Sequence, residues 1–151
     1  MKILDEPKAI RIKIMDFLSR REHSSKEIFQ KLSSRVESKK LLEEEIEKLK
    51  TDGLLSDERF AESYFQSRKN RGYGPLRIRN ELKQRGVGDQ IFYPLSNKID
   101  WSELALKALR KKISGNMPTE TKDLLKLKRF LNYRGFDFQD IDKAILSIKS
   151  E

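Results

Sequence analysis

The sequence predicts an all-α protein, drawn out along repeated helical units and not rolled into one globule. Three observations carry this. Apolar residues recur at helical spacing from near the start of the chain to its end, and strict apolar/polar alternation beyond four residues is hard to find outside Ile10 to Ile14, where the flanking stripe favours helix. A six-residue pattern returns about 50 residues further along. Charged residues make up 38% of the 151 and apolar ones 36%, a surplus of surface over core that suits an elongated chain. A solvated charged tail would not require leucine, isoleucine and phenylalanine at regular intervals, so the chain is expected to fold.

The first helix follows from Ile10, Ile14, Phe17 and Leu18, a stripe that ends in the basic last turn at Arg21. Ser24-Ser25-Lys26-Glu27 then forms a capping box, Ser24 accepting from the third amide of the helix and Glu27 reaching back to the cap. Ile28 and Leu32 are the buried side of that shorter second helix. The third helix runs from about Ser38 to Thr51, with Leu42, Ile46 and Leu49 inward and the Glu43-Glu44-Glu45 run facing mostly outward. Gly53 stands where a left-handed residue closes a helix.

The next helix starts at Ser56 or Asp57, whose side-chain oxygens can accept from the free amides of the first turn. Phe60, Ala61, Tyr64 and Phe65 form its apolar side. The glycines of Asn70-Arg71-Gly72-Tyr73-Gly74 mark a loop, and Pro75 fits the first position of another helix, where its missing amide is harmless. Ile78 and Leu82 are the inward pair of this helix, and Gly86 stops it. Ile91, Phe92 and Leu95 indicate one more short helix, which Pro94 should kink or break in two. In the last third, Asp100-Trp101-Ser102-Glu103 is a second capping box, followed by an apolar face of Leu104, Ala105, Ala108 and Leu109. Ser114 to Pro118 reads as a loop. Leu124, Leu127, Phe130 and Leu131 continue at helical spacing to Gly135, and Ile141, Ile145 and Ile148 close the chain.

The repeat is visible when these segments are set against one another. Leu82-Lys83-Gln84-Arg85-Gly86-Val87 returns 49 residues later as Leu131-Asn132-Tyr133-Arg134-Gly135-Phe136, and more weakly 50 residues earlier as Leu32-Ser33-Ser34-Arg35-Val36-Glu37. Three units result, over residues 1–54, 55–99 and 100–151, each with three helices. A unit this small buries little alone, so stacking on its neighbours should supply the rest. Val36 replaces the glycine of the other two units, and the second helix of the first unit is expected to end differently.

A formal charge of +9 predicts attraction to polyanions, because lysines and arginines displace the counterions condensed on phosphate backbones. The absence of cysteine excludes disulfides and thiolate metal sites, and a single histidine, His23, excludes a multi-histidine site. No glycine-rich phosphate loop ending in Lys-Ser/Thr is present, so intrinsic ATP hydrolysis is not expected, nor is any cofactor or other catalytic role. No apolar run is long enough to cross a bilayer, which predicts a cytoplasmic protein without a membrane partner.

Gly53-Leu54-Leu55-Ser56-Asp57-Glu58-Arg59-Phe60-Ala61, followed by Tyr64, Arg68, Gly74-Pro75, Ile78, Glu81-Leu82 and Arg85-Gly86-Val87, resembles the RecX family, whose members regulate the RecA recombinase. The match is strong over residues 53 to 87 and rests elsewhere on helix pattern and length. The resemblance implies a curved array of three tandem three-helix repeats, acting as a monomer. It implies a protein that binds in the groove of the RecA–DNA filament, whether the DNA there is single- or double-stranded. Suppression of ATP hydrolysis, strand exchange and co-protease activity would follow. Stand-alone nucleic-acid binding is the competing function.

Candidate contact residues lie mainly in the middle unit, where Glu81 is the only acid between positions 68 and 86. Arg79 and Lys83 rank first, because like charges four apart on a helix repel unless an anion relieves them. Arg68, Lys69, Arg71 and Arg85 belong to the same cluster, and Tyr73 could stack on a base or pack at an interface. Arg77 is four before Glu81 and is expected to pair with it. Arg68 could instead rest on an aromatic ring at a helix junction. Phe60, Tyr64 and Phe65 read as core, and Trp101 as packing between the second and third units. A second basic group contains Lys107, Arg110, Lys111, Lys112, Lys122 and Lys128, with Lys126 and Arg129 its candidate contacts; a solvated face is the simpler role for such residues.

Overall fold

The structure, a computed structural model, describes residues 3–151; Met1 and Lys2, at the head of the expected first unit, lie outside the described residues. Among the described residues the protein is all-α, as the periodicity predicts. Its helices are α1 (Pro7–Arg20), α2 (Ser25–Leu32), α3 (Lys39–Thr51), α4 (Asp57–Asn70), α5 (Pro75–Gln84), α6 (Asp89–Ser96), α7 (Trp101–Ile113), α8 (Thr121–Arg134) and α9 (Phe138–Lys149). One isolated parallel bridge joins Leu4 to Val36.

Two compact units are present. The first comprises the described chain up to Tyr64 together with Leu82–Ile91, and the second comprises Phe65–Glu81 and Phe92–Glu151.

In the first unit α3 packs on both α1 and α2. Ile10, Ile14, Ile28, Leu32, Leu42 and Leu49 are fully buried between them. Each such side chain contributes about 1.5–3 kcal/mol through removal from water. The capping box at Ser24 is complete: its hydroxyl accepts from the Glu27 amide at 3.1 Å and Glu27 Oε1 accepts from the Ser24 amide at 3.0 Å. Ser56 caps α4 by accepting from the Arg59 amide at 3.1 Å. Asp57 has a different use. Its carboxylate accepts from the Ser25 amide at 2.7 Å and the Ser25 hydroxyl at 3.2 Å, fastening the start of α4 to the start of α2. Glu45 departs from the outward-facing acidic run: it is buried on α3 and paired with Lys48 at 3.1 Å.

His23, in the α1–α2 loop, is 2% exposed. Nδ1 is 3.0 Å from the Arg21 carbonyl, to which it donates, and Nε2 is 3.0 Å from Lys31 Nζ, from which it accepts. That network assigns the neutral ring. Burial, aided by the positive charges of Arg21 and Lys31, holds the pKa below its usual 6.5. A histidine with a depressed folded-state pKa is protonated more readily in the unfolded chain, so its contribution is complete above about pH 6.5 and is lost as pH falls through the folded value. Denaturant titrations at stepped pH should show wild type losing stability relative to His23→Gln below pH 6.5, at no more than about 1.4 kcal/mol per pH unit. Asp140 runs the other way, its pKa raised to about 6 by burial and by Asp137 beside it. Stability from that group falls as pH rises toward 6, and the difference between wild type and variant cancels it.

In the second unit, α7, α8 and α9 pack on one another. Trp101 sits among aromatic rings, edge-on to Phe65 at 5.8 Å and to Phe136 at 6.4 Å, with Phe65 also against Phe92 at 6.1 Å. Its indole N–H donates to the carbonyl and hydroxyl of Ser96, each at 3.1 Å, so the one polar atom of the ring is satisfied where it is buried. Asp100 and Asp137 cap α7 and α9 through the Glu103 and Asp140 amides. α6 is one continuous helix through Pro94, not the two pieces the sequence suggests. It is only eight residues long, so the missing amide falls close to its end and removes a single intrahelical bond.

The repeated hexapeptide is repeated in its hydrogen bonds. Gly86 and Gly135 both take left-handed backbone, φ +83° and +107°. Behind them the Val87 amide donates to Leu82 at 2.9 Å and the Phe136 amide to Leu131 at 3.2 Å, the six-to-one bond of a Schellman stop. Without a glycine, α2 ends otherwise: the chain extends through Val36, and Leu4 donates to the Arg35 carbonyl at 2.7 Å.

Candidate binding interface

The basic residues of the middle segment are positioned by a turn fixed at both ends. After α4 the chain reverses at Gly72, φ +89°, with the Tyr73 amide donating to the Arg68 carbonyl at 3.2 Å. The Gly74 amide then donates to the Arg134 carbonyl at 2.8 Å and the Leu76 amide to the Gly135 carbonyl at 2.9 Å. First-turn amides ordinarily lack intrahelical partners, and here the end of α8 supplies them. The backbones approach so closely that a β-carbon on Gly74 would lie 2.4 Å from the Gly135 carbonyl carbon.

Tyr73 is half-buried beneath three guanidiniums, those of Arg68 at 4.0 Å, Arg77 at 4.3 Å and Arg134 at 5.1 Å from its ring centre. Glu81 balances this charge. It takes a two-pronged bond from Arg68, 2.9 Å on each oxygen, and one from Arg77 at 3.3 Å. The expected Arg77–Glu81 pair is therefore present, joined by Arg68 from another helix. Arg68 and Tyr73 both have work inside the protein.

Beside this cluster lies a groove of about 450 Å³, entirely within the second unit. Leu104, Ala108 and Phe130 give it an apolar floor, and Lys69, Arg71, Lys107, Lys111 and Lys112 stand around it. Among the described residues no carboxylate comes within 4.0 Å of any of these five cations. Arg134 completes the wall, held by its bond to the Arg71 carbonyl at 3.2 Å and lying 5.2 Å from the Phe130 ring. Lys112 lies 4.9 Å from the same ring.

Of the nine candidate contacts, Lys69 and Arg71 enter this groove. Arg79 lies over Tyr93 at 5.3 Å. Lys83 and Arg85 belong to the first unit, where Lys83 is 3.7 Å from Asp89 and Arg85 is 4.6 Å from the Tyr64 ring. Asp89 is an internal anion, so the repulsion expected between Arg79 and Lys83 has a source of relief within the protein. Lys126 and Arg129 are exposed on α8 and do not line the groove. Lys107, Lys111 and Lys112 of α7, which stand in the second basic group but not among its candidate contacts, line the groove. Their signal was readable: Leu104, Lys107, Ala108 and Lys111 follow i, i+3, i+4, i+7, a stripe beside the buried Trp101, Ala105 and Leu109. Leu104 and Ala108 are half-buried and belong to the groove, not to the fully buried face.

Among the described residues there is no group of three or more His, Cys, Asp or Glu side chains placed to hold a metal ion. No helix there is long and apolar enough to cross a membrane.

Two family models match the chain, one described as RecX, second three-helix domain, over residues 56–91, and one as RecX, third three-helix domain, over residues 100–145. A regulatory protein RecX of Pseudomonas putida KT2440 is 40% identical over 147 residues, which is 95% of this chain and 93% of that protein. The regulatory protein RecX of Pseudomonas entomophila L48 is 38% identical over 145 residues, 95% and 94% of the two chains. The crystal structure of RecX from Lactobacillus salivarius superposes with a TM-score of 0.81 at 25% identity, covering 96% of this chain and 97% of that one.

Proposed function

The chain belongs to the RecX family of regulatory proteins, and from that membership we propose that it regulates the RecA recombinase by binding the RecA–DNA filament. The carrying observation is the 40% identity to a regulatory protein RecX, sustained over 95% of the chain, so the kinship is not confined to one motif. In this proposal the protein follows the groove of the filament as three repeats, at residues 1–54, 55–99 and 100–151, and slows ATP hydrolysis, strand exchange and co-protease activity. Lys69, Arg71, Lys126 and Arg129 are the contacts we assign to the partner. The support is that none has a carboxylate within 4.0 Å among the described residues, whereas Arg68 and Lys83 do.

The test is RecA-dependent ATP hydrolysis on single-stranded DNA. Adding this protein at or below the recombinase concentration should cut the steady-state rate by more than half. An unchanged rate under conditions where the protein is folded would remove the regulatory reading. The alternative, nucleic-acid binding without any recombinase, is favoured by the charge of +9 and by the basic groove. It predicts a mobility shift that RecA does not alter and that weakens steeply with salt.

A further inference from the structure

We propose that the groove on α7 and α8 is a binding site for single-stranded nucleic acid, taking phosphates on Lys69, Arg71, Lys107 and Lys111 and one unpaired base against Leu104, Ala108 and Phe130. Charge is the first argument. Lys107 and Lys111 are one helical turn apart, an arrangement that costs α7 a few tenths of a kcal/mol, and among the described residues no carboxylate within 4.0 Å offsets it. Lys111 and Lys112 could be excused as complements to the C-terminal dipole of α7. Lys69 complements the end of α4 in the same way, but Lys107 is outside the last turn of α7 and Arg71 lies beyond α4, so the two dipoles do not account for these cations.

Shape is the second. At about 450 Å³ the space is of the size that small ligands occupy, and its floor is apolar while its rim is cationic. A row of phosphates alone has no use for that floor; a nucleotide does, through its base. Duplex bases are already paired and stacked, which selects a single strand. Six cations line the groove, four lysines and two arginines, and both residue types bind phosphate. Competition by polyglutamate separates a phosphate strand from an acidic peptide.

The inference rests on the proposed function only for where the strand is met, as DNA within the filament; the binding itself is testable without recombinase. Fluorescence anisotropy with a labelled oligothymidine should give affinity that falls with salt at a slope of about −3 in log–log form, as expected for four phosphates on a single strand. Lys107→Gln with Lys111→Gln should weaken binding about tenfold at moderate salt and make the slope shallower by about 1.4. Ala108→Leu, which fills the floor and leaves the charge, should weaken single-stranded but not duplex binding. Thermal melts of both variants confirm that they are folded. Affinity and slope unchanged in the lysine variant overturn the site, as does equal competition by polyglutamate of matched charge or indifference to Ala108→Leu. Those results stand apart from the RecA ATPase assay, where failure to inhibit by wild type counts against the regulatory reading and leaves the groove's DNA binding as measured.

Discussion

Replacing Gly135 by alanine is expected to lower the stability of the protein by roughly 3–5 kcal/mol, a fall in Tm of about 10–15 °C. Two costs coincide there. The backbone is left-handed at φ +107°, which a β-carbon disfavours. The new atom would also lie 2.4 Å from Arg77 Cβ and 2.8 Å from the Arg77 amide nitrogen. Relief requires the start of α5 to withdraw, which breaks the bonds from the Gly74 and Leu76 amides. Gly53 provides the comparison: its φ is +76°, but nothing lies within 4 Å of a β-carbon built on it. Gly53→Ala should therefore cost only about 1 kcal/mol, the backbone part of the penalty. If the two variants melt together, close packing at Gly135 adds little to the backbone penalty.

Removal of Glu81 comes second, at about 2–4 kcal/mol for Glu81→Ala. Its carboxylate and the Arg68 guanidinium are 18% and 16% exposed, so each has given up most of its water for the other. Without it, Arg68, Arg77 and Arg134 remain gathered on the Tyr73 ring with their main counter-charge gone. Glu81→Gln keeps the shape and loses the charge, and should fall between wild type and alanine. Raising salt should narrow the gap, because screening acts on the repulsion among the arginines. A double-mutant cycle with Arg68→Ala should return a coupling of about 1–3 kcal/mol, and a coupling near zero would show the pair to be ornamental.

Most of the fold was legible because it is local. Caps at Ser24, Ser56 and Asp100 and the stop glycines at positions 53, 86 and 135 act within one helical turn, and each is found where its residue type predicts. Pro94 misled because the rule against interior proline assumes a helix long enough to have an interior. Glu45 misled because a run of three acids does not reveal which member turns inward, where Lys48 can still reach it. The site was legible only in part, for a related reason. Charge spacing along α5 exposes Arg79 and Lys83, but the partner of Lys83 is Asp89, beyond the helix on which the repulsion was reasoned. The groove joins Lys69 and Arg71 to lysines more than thirty residues away, and no periodicity connects them. The apolar half of that groove was hidden in plain view, counted with the buried face of α7 because Leu104 and Ala108 satisfy the same helical spacing as Leu109.

The bonds from Gly74 and Leu76 to the carbonyls of Arg134 and Gly135 also order events in time. During synthesis the turn that carries Arg71 emerges from the ribosome some sixty residues before the carbonyls that hold it. Until α8 has been made, the Gly74 and Leu76 amides have nothing to close against and remain with water, while the Tyr73 amide already has Arg68. The groove is therefore among the last features to be completed, and a nascent chain halted short of Gly135 would carry its cations without the geometry that gathers them.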